Sequence, residues 1–246
     1  MSNSVIRNLP NVITCANLFS GCVGIVFAFT GDVNIACYAI FVSAIFDFFD
    51  GLAARMLKAG TNIGKDLDSL ADVVSFGVLP GAIVYQLFLH AKQIENISSW
   101  LNFAAFLIPV FSALRLARFN TDARQSENFI GLPTPANAIL IASLPVILSA
   151  LNEHDLLNPY LLLTFTVIMC TFLVVEIPMM SLKFKDFNFH KNIYRYSLII
   201  FSLIMALFFK FAAIPAIIFI YIALSILQFG LAKVSLTNGK KDPSNQ

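Results

Sequence analysis

Eight times along this chain, a run of mostly apolar residues continues for about the length that one bilayer crossing requires. The runs fall at roughly 12–30, 34–57, 65–89, 100–118, 136–151, 158–177, 194–209 and 212–233. A helix rises 1.5 Å per residue, so about 20 apolar residues cross the hydrocarbon of a membrane. Charge is correspondingly scarce. Only 12% of the 246 residues are charged and 58% are hydrophobic, 25 of them Phe, where a soluble domain carries about 25% charged residues. Mean hydropathy is +0.80. The fold class expected is all-α: a polytopic membrane helix bundle of about eight transmembrane helices. One membrane domain over residues 1–235 accounts for the length, followed by a polar tail, 236–246, expected to be disordered.

The basic residues orient the bundle. With both termini in the cytoplasm, fourteen of the sixteen Lys and Arg lie on the cytoplasmic side, and only Lys92 and Lys210 face out. The protein is therefore expected to be integral and multi-pass. The first apolar run lacks a small-residue cleavage site and reads as a retained helix. The last two spans are separated by KFAAIP, a tight turn. A net charge of +2 makes no case for nucleic acid. Cys15, Cys22, Cys37 and Cys170 lie in apolar segments with no C-x-x-C pair and read as small hydrophobes. His90, His154 and His190 are scattered over different loops, and Asn96-Ile97-Ser98 carries little weight as a glycosylation match.

One stretch breaks the apolar pattern. DFFDGLAARMLKAGTNIGKDLDSLAD, from Asp47 to Asp72, holds five aspartates in 26 residues. Acids at a bilayer are costly and mark function. Asp47 and Asp50 are three apart and share a helix face with Gly51 and Ala54. Asp68 and Asp72 are four apart, on a stripe with Gly64 and Ser75. Asp66 points the other way and suits a helix N-terminus. If the two helices face each other, four carboxylates converge, and they cannot all stay ionised without cations. Oxygen ligands with no His or Cys argue against zinc and suit Mg²⁺, Mn²⁺ or Ca²⁺. Two ions about 3.5–4 Å apart would suit displacement at phosphorus. The competing reading pairs these acids with Arg55, Lys58 and Lys65 at the membrane surface. A divalent-cation transporter is a further alternative, but neither inverted repeats nor broken mid-membrane helices are evident.

The order Asp47-x-x-Asp50-Gly51-x-x-Ala54-Arg55, eight residues, Gly64-x-x-x-Asp68-x-x-x-Asp72 resembles the full signature of the CDP-alcohol phosphatidyltransferases. The resemblance implies transfer of a phosphatidyl-type group from a CDP-linked donor to an alcohol, with release of CMP. It implies Asp47, Asp50 and Asp68 as metal ligands, with Asp72 completing the metal site and acting as general base. Gly51, Ala54 and Gly64 would border the nucleotide, and Arg55 would help hold the site together. RNLPNVIT (Arg7–Thr14) is also similar to the family's approach to its first helix. Asn11 and Thr14 would then approach the nucleotide, unless either serves as an N-cap.

Three further stretches bear on the acceptor: VVSFGVLPG (Val73–Gly81), ALRLARFN (Ala113–Asn120) and GLPTPANA (Gly131–Ala138). Together with eight spans they resemble the bacterial and archaeal integral-membrane phosphatidylserine synthases. That branch implies CDP-diacylglycerol and L-serine as substrates, surrounding membrane lipids, a homodimer, and a bacterial inner membrane with the active site facing the cytoplasm. Arg115 and Arg118, three apart at a helix end, could hold a carboxylate or phosphate bidentately, or simply anchor the helix. Ser75 either contributes a hydroxyl to the acceptor or only faces a neighbouring helix. Pro133 and Pro135 read as a stiff start to the next helix. Glycerol 3-phosphate or an inositol phosphate remains the alternative acceptor.

Overall fold

The computed structural model describes residues 2–58, 62–91, 99–122, 129–151, 158–181, 188 and 192–238. Among them are nine α-helices: α1 (Ser2–Thr30), α2 (Val33–Leu57), α3 (Asn62–Val73), α4 (Leu79–His90), α5 (Leu107–Thr121), α6 (Thr134–Leu151), α7 (Pro159–Val174), α8 (Ile193–Phe209) and α9 (Ala213–Asn238). The helices end where the local chemistry allows. Gly31, at φ +102°, turns the chain between α1 and α2. Lys58 closes α2 in the left-handed conformation, its N–H bonding back to the last turn. Asn158 caps α7 by accepting from the Tyr160 N–H, and Pro159 fills the first helical position.

Among the described residues, six stretches of helix are long and apolar enough to cross a membrane: Asn8–Thr30, Val33–Leu57, Ile63–His90, Ser99–Thr121, Thr134–Leu151 and Ile193–Phe229. The last holds two helices, α8 and α9, packed on each other through a turn at Lys210–Ala212, where KFAAIP was expected to turn. The seventh apolar helix, Pro159–Val174, has 16 residues, about 24 Å of rise. The chain is thus an all-α integral membrane protein. α9 continues to Asn238, into the expected tail, and 239–246 lie outside the described residues, as do His154, His190 and Asn96.

α1 corrects one expectation. It begins at Ser2 rather than near residue 12, with Pro10 inside it. A proline inside a helix removes one N–H from the ladder and crowds the carbonyl four residues back, yet α1 runs through it. Asn11 and Thr14 therefore lie within the helix, and neither is an N-cap.

The central element is α3–α4. Of the most apolar window of Ile63–His90, 67% is buried, against 28% for α1 and α2. Its middle is a π turn, Val74–Val78, in which the Leu79 N–H reaches back to the Val74 carbonyl. Pro80 follows directly. In a plain α-helix its ring would press on the carbonyl four residues back, and the wider turn relieves that clash. Gly77 and Gly81 let α5 approach: a Cβ on Gly81 would stand 2.9 Å from Pro109 Cδ. The expected helix 65–89 is present, but nothing in its apolar pattern announced the π turn. α5 likewise begins as a 3-10 segment, Ser99–Phe106.

Packing around this helix forms two apolar clusters. Ile40, Phe76, Leu79, Ile83, Ile108 and Ile141 centre the first. Leu132, Leu140, Met169, Met179, Leu198 and Tyr221 centre the second. A two-residue antiparallel pair, β1 (Phe129–Ile130) with β2 (Pro178–Met179), ties the segments that follow α5 and α7. Gly131 is required beside it. Its φ is +75°, and a Cβ would stand 2.5 Å from the Leu173 carbonyl oxygen. α9 is fastened to the same tie: the Met180 N–H donates to Ser225 Oγ, and the Tyr221 hydroxyl donates to the Met180 carbonyl.

Candidate active site and metal centre

α1 packs along both α2 and α3, whereas α2 and α3 hardly touch backbone to backbone. A gap is left between those two helices, and the acidic side chains enter it from both sides. One carboxylate oxygen each of Asp47, Asp50 and Asp68 lies within 4.8 Å of the others. Asp50 is 5% exposed and Asp72 7%, so two of these acids are nearly out of solvent. Asp72 stands outside the triad but within electrostatic reach of Asp47 and Asp68. Three of the four expected carboxylates therefore gather, and Asp72 is buried one turn further along α3 from Asp68. Asp66 is exposed, on the far side of α3.

The competing ion-pair reading does not hold among the described residues. Lys65 donates to the Asn120 carbonyl at 3.0 Å, and no Lys or Arg forms an ion pair with any of the four acids. Arg55 is exposed at the end of α2 and lies alongside Gly51, whose Cβ would meet its guanidinium at 3.5 Å. Three carboxylates collected in a partly buried gap, in no ion pair among the described residues, suit a divalent cation with oxygen ligands. An orphaned acceptor supports that fit: Asp68 Oδ1 is buried and has no hydrogen-bond partner. A buried acceptor left this way costs roughly 1–3 kcal/mol, more when charged, unless something coordinates it.

Neutral side chains of α1 complete the pocket. The Thr14 hydroxyl lies 2.7 Å from Asp50 Oδ2 and 3.0 Å from the Pro10 carbonyl. Its one proton serves one acceptor at a time, and the carboxylate is the stronger. Asn17 was not singled out from the sequence. It is fully buried, its amide donates to Asp72 Oδ1 at 3.4 Å, and its own Oδ1 is unpartnered. A polar residue in the middle of an apolar span was the signal available. Ser75, one turn beyond Asp72, donates to the Asn17 carbonyl at 3.0 Å, and Ser43 donates to the same carbonyl at 3.3 Å. Ser75 thus faces α1. Asn11 is partly exposed one turn before Thr14, and Gly51 and Ala54 on α2 and Gly64 on α3 are likewise partly exposed.

Arg115 and Arg118 part company. Arg115 is 6% exposed; its Nη1 donates to Thr134 Oγ1 at 3.2 Å, and its Nε is buried without a partner. Its charge is within reach of Asp72 and Asp47. The rings of Phe119 and Phe129 flank it at 5.5 and 5.9 Å. Arg118 is exposed, and its Nη1 donates to the Val174 carbonyl at the end of α7 at 3.3 Å. Asn137, on the Arg115-binding face of α6 one turn past Thr134, is fully buried with neither amide atom bonded. Pro133 and Thr134 open α6, as the stiff helix start predicted.

Residues 7–177 match the family model of the CDP-alcohol phosphatidyltransferases, and the chain belongs to that family. Within it, the chain is similar to several curated relatives. It is 35% identical over 184 residues to the CDP-diacylglycerol–serine O-phosphatidyltransferase of Helicobacter pylori (strain ATCC 700392 / 26695), covering 73% of this chain and 74% of that protein. It is 35% identical over 127 residues to the protein of the same name from Bacillus subtilis (strain 168), covering 52% of this chain and 69% of that protein. It is 35% identical over 139 residues to the archaetidylserine synthase of Methanothermobacter thermautotrophicus, with 55% and 56% covered.

Proposed function

We propose that this chain transfers the phosphatidyl group from CDP-diacylglycerol to L-serine, giving phosphatidylserine and CMP. The observation that carries the reading is the arrangement of the aspartates, three gathered within 4.8 Å and a fourth buried beside them, in a family defined by CDP-alcohol chemistry. The serine acceptor is supported by relatives whose names specify serine, in bacteria and in an archaeon.

The residues divide the work. Mg²⁺ or Mn²⁺ held by Asp47, Asp50 and Asp68 would supply charge neutralisation for the diphosphate and for the departing CMP. Thr14 holds Asp50 in place from α1. Gly51, Ala54 and Gly64 keep the open end of the gap low, so that the nucleotide can lie against backbone, with Arg55 and Asn11 at its rim. Asp72 takes the proton of the attacking hydroxyl. The Asn17 amide occupies Asp72 Oδ1 and leaves Oδ2 for that proton. Arg115 places a fixed positive charge beside the same carboxylate. The skew of basic residues supports a gap that opens to the cytoplasm.

Purified protein with CDP-diacylglycerol and Mg²⁺ or Mn²⁺ should form phosphatidylserine from L-serine, detected by mass spectrometry, with CMP released in equal amount. Product from glycerol 3-phosphate and none from serine would move the chain to another acceptor within its family.

A further inference from the structure

Asn120 stands in the last turn of α5, half-buried, and grips α3 at two points one turn apart. Its side-chain amide donates to Ser69 Oγ at 2.7 Å. Its backbone carbonyl accepts from Lys65 Nζ at 3.0 Å. Ser69 gives its own proton to the Lys65 carbonyl at 3.2 Å, so its oxygen is left to accept the amide. The Lys65 contact suits a helix end. The last carbonyls of a helix have no partner within it, and a cation there is favoured by the dipole.

Lys65 and Ser69 flank Asp68 in the sequence. On the helix, about 60° of rotation separates the gripped stripe, Lys65 and Ser69, from the acidic stripe, Asp68 and Asp72. One face of α3 therefore rests on α5 while the next turns its acids into the gap. Asp50 and Asp72 are each steadied by a side chain of α1, whereas Asp68 Oδ1 is buried without a hydrogen-bond partner. The aim of Asp68 thus depends on how α3 is rotated about its own axis. Side-chain tips stand roughly 5–6 Å from a helix axis, so a rotation of about 10° moves a carboxylate by about 1 Å. Metal–ligand distances tolerate only about 0.2 Å, so even a small rotation would loosen a site.

We propose that Ser69 and Asn120 are positioning residues for the metal centre: the hydrogen bond between them fixes the rotation of α3 and so aims Asp68 at the ion. This rests on the metal reading above and adds to it the pair that aligns one ligand from outside the gap. The α3 side of the centre is set from α5, as the α2 side is set from α1 through Thr14.

The test is Mn²⁺ binding to the full-length protein in detergent, read from the electron paramagnetic resonance of the free ion, with and without CDP-diacylglycerol. Wild type is compared with Asp68→Asn, Ser69→Ala, Ser69→Thr, Asn120→Leu and the double variant Ser69→Ala with Asn120→Leu. Asp68→Asn should lose binding. Ser69→Ala and Asn120→Leu should each weaken it roughly 10–100-fold, the range for groups that orient metal ligands. The unfolding temperature of the metal-free protein should move by no more than about 4 °C, as for one lost hydrogen bond in a chain of this size. Ser69→Thr keeps the hydroxyl and should bind nearly as wild type does. The double variant should be no weaker than the worse single one, because both changes remove the same bond. Ser69→Ala decides the matter if Asn120→Leu does not fold. Wild-type Mn²⁺ affinity in Ser69→Ala, alongside loss in Asp68→Asn, overturns the assignment. So does a double variant weakened by the product of the two single effects. Wild-type protein that binds no Mn²⁺ in either condition overturns the metal reading itself, and the assignment with it.

Discussion

Thr14 and Asn17 stand one turn apart on α1, and each hydrogen-bonds one site aspartate, Asp50 and Asp72 respectively. The two contacts serve carboxylates with different jobs, so their loss should register in different measurements. Thr14→Val keeps the shape of the side chain and removes the hydroxyl from Asp50. Supporting groups of this kind are worth roughly 10–100-fold in metal affinity. The concentration of Mg²⁺ or Mn²⁺ for half-maximal CMP release should rise accordingly, with turnover at saturating metal much less affected. Asp72→Asn removes the proton acceptor while the three gathered carboxylates remain. Turnover should drop roughly 10²–10⁴-fold, the usual scale for general-base catalysis, with CDP-diacylglycerol and metal binding retained in the same preparation. Loss of metal binding in step with activity would make Asp72 chiefly a ligand.

At the scale of elements, α1 holds the site together. It lies against α2 and α3, the two helices that carry the acids, and a close contact with the π turn fixes its depth. A Cβ on Gly21 would stand 2.9 Å from Ser75 Cα, a backbone atom with little room to move. Small residues of this kind let membrane helices approach closely. Gly21→Ala should therefore push α1 outward and cost about 1–3 kcal/mol, seen as a lower unfolding temperature in detergent. An unchanged melting temperature would show that the interface has slack. Much of this level was legible beforehand. The 3- and 4-residue spacing of the aspartates placed them on two facing stripes, and the apolar runs gave the helices. What stayed hidden depended on partners distant in sequence. Asn17 matters because it reaches Asp72, 55 positions on. The early start of α1 was missed because Pro10 looks like a boundary and the helix continues through it.

The molecule as a whole divides into the part that matches the family and a hairpin beyond it. The family match ends at residue 177, so α8 and α9 lie beyond it, and only 11% of the best window in Ile193–Phe229 is buried. That hairpin is exposed over most of its surface within the single chain and meets the rest of the protein chiefly along Tyr221, Ile222 and Ser225. The basic skew predicts that both termini and the α2–α3 junction share the cytoplasmic side. Single cysteines introduced at Lys58 and at Asn238, in a background lacking the four native cysteines, should react with an impermeant maleimide only after the inner face is opened. Labelling of either site from outside would invert the topology.

The π turn at Val74–Val78 bears on how such a protein can change over time. One extra residue per turn sets the rotation of α4 apart from that of α3, so the two halves of the central helix carry their side chains in separately indexed directions. Asp68 and Asp72 are indexed by the first half, and the faces of α4 by the second. A bulkier side chain on one face of α4 therefore presses on neighbours set by the second half, while the direction of the acids stays with the first.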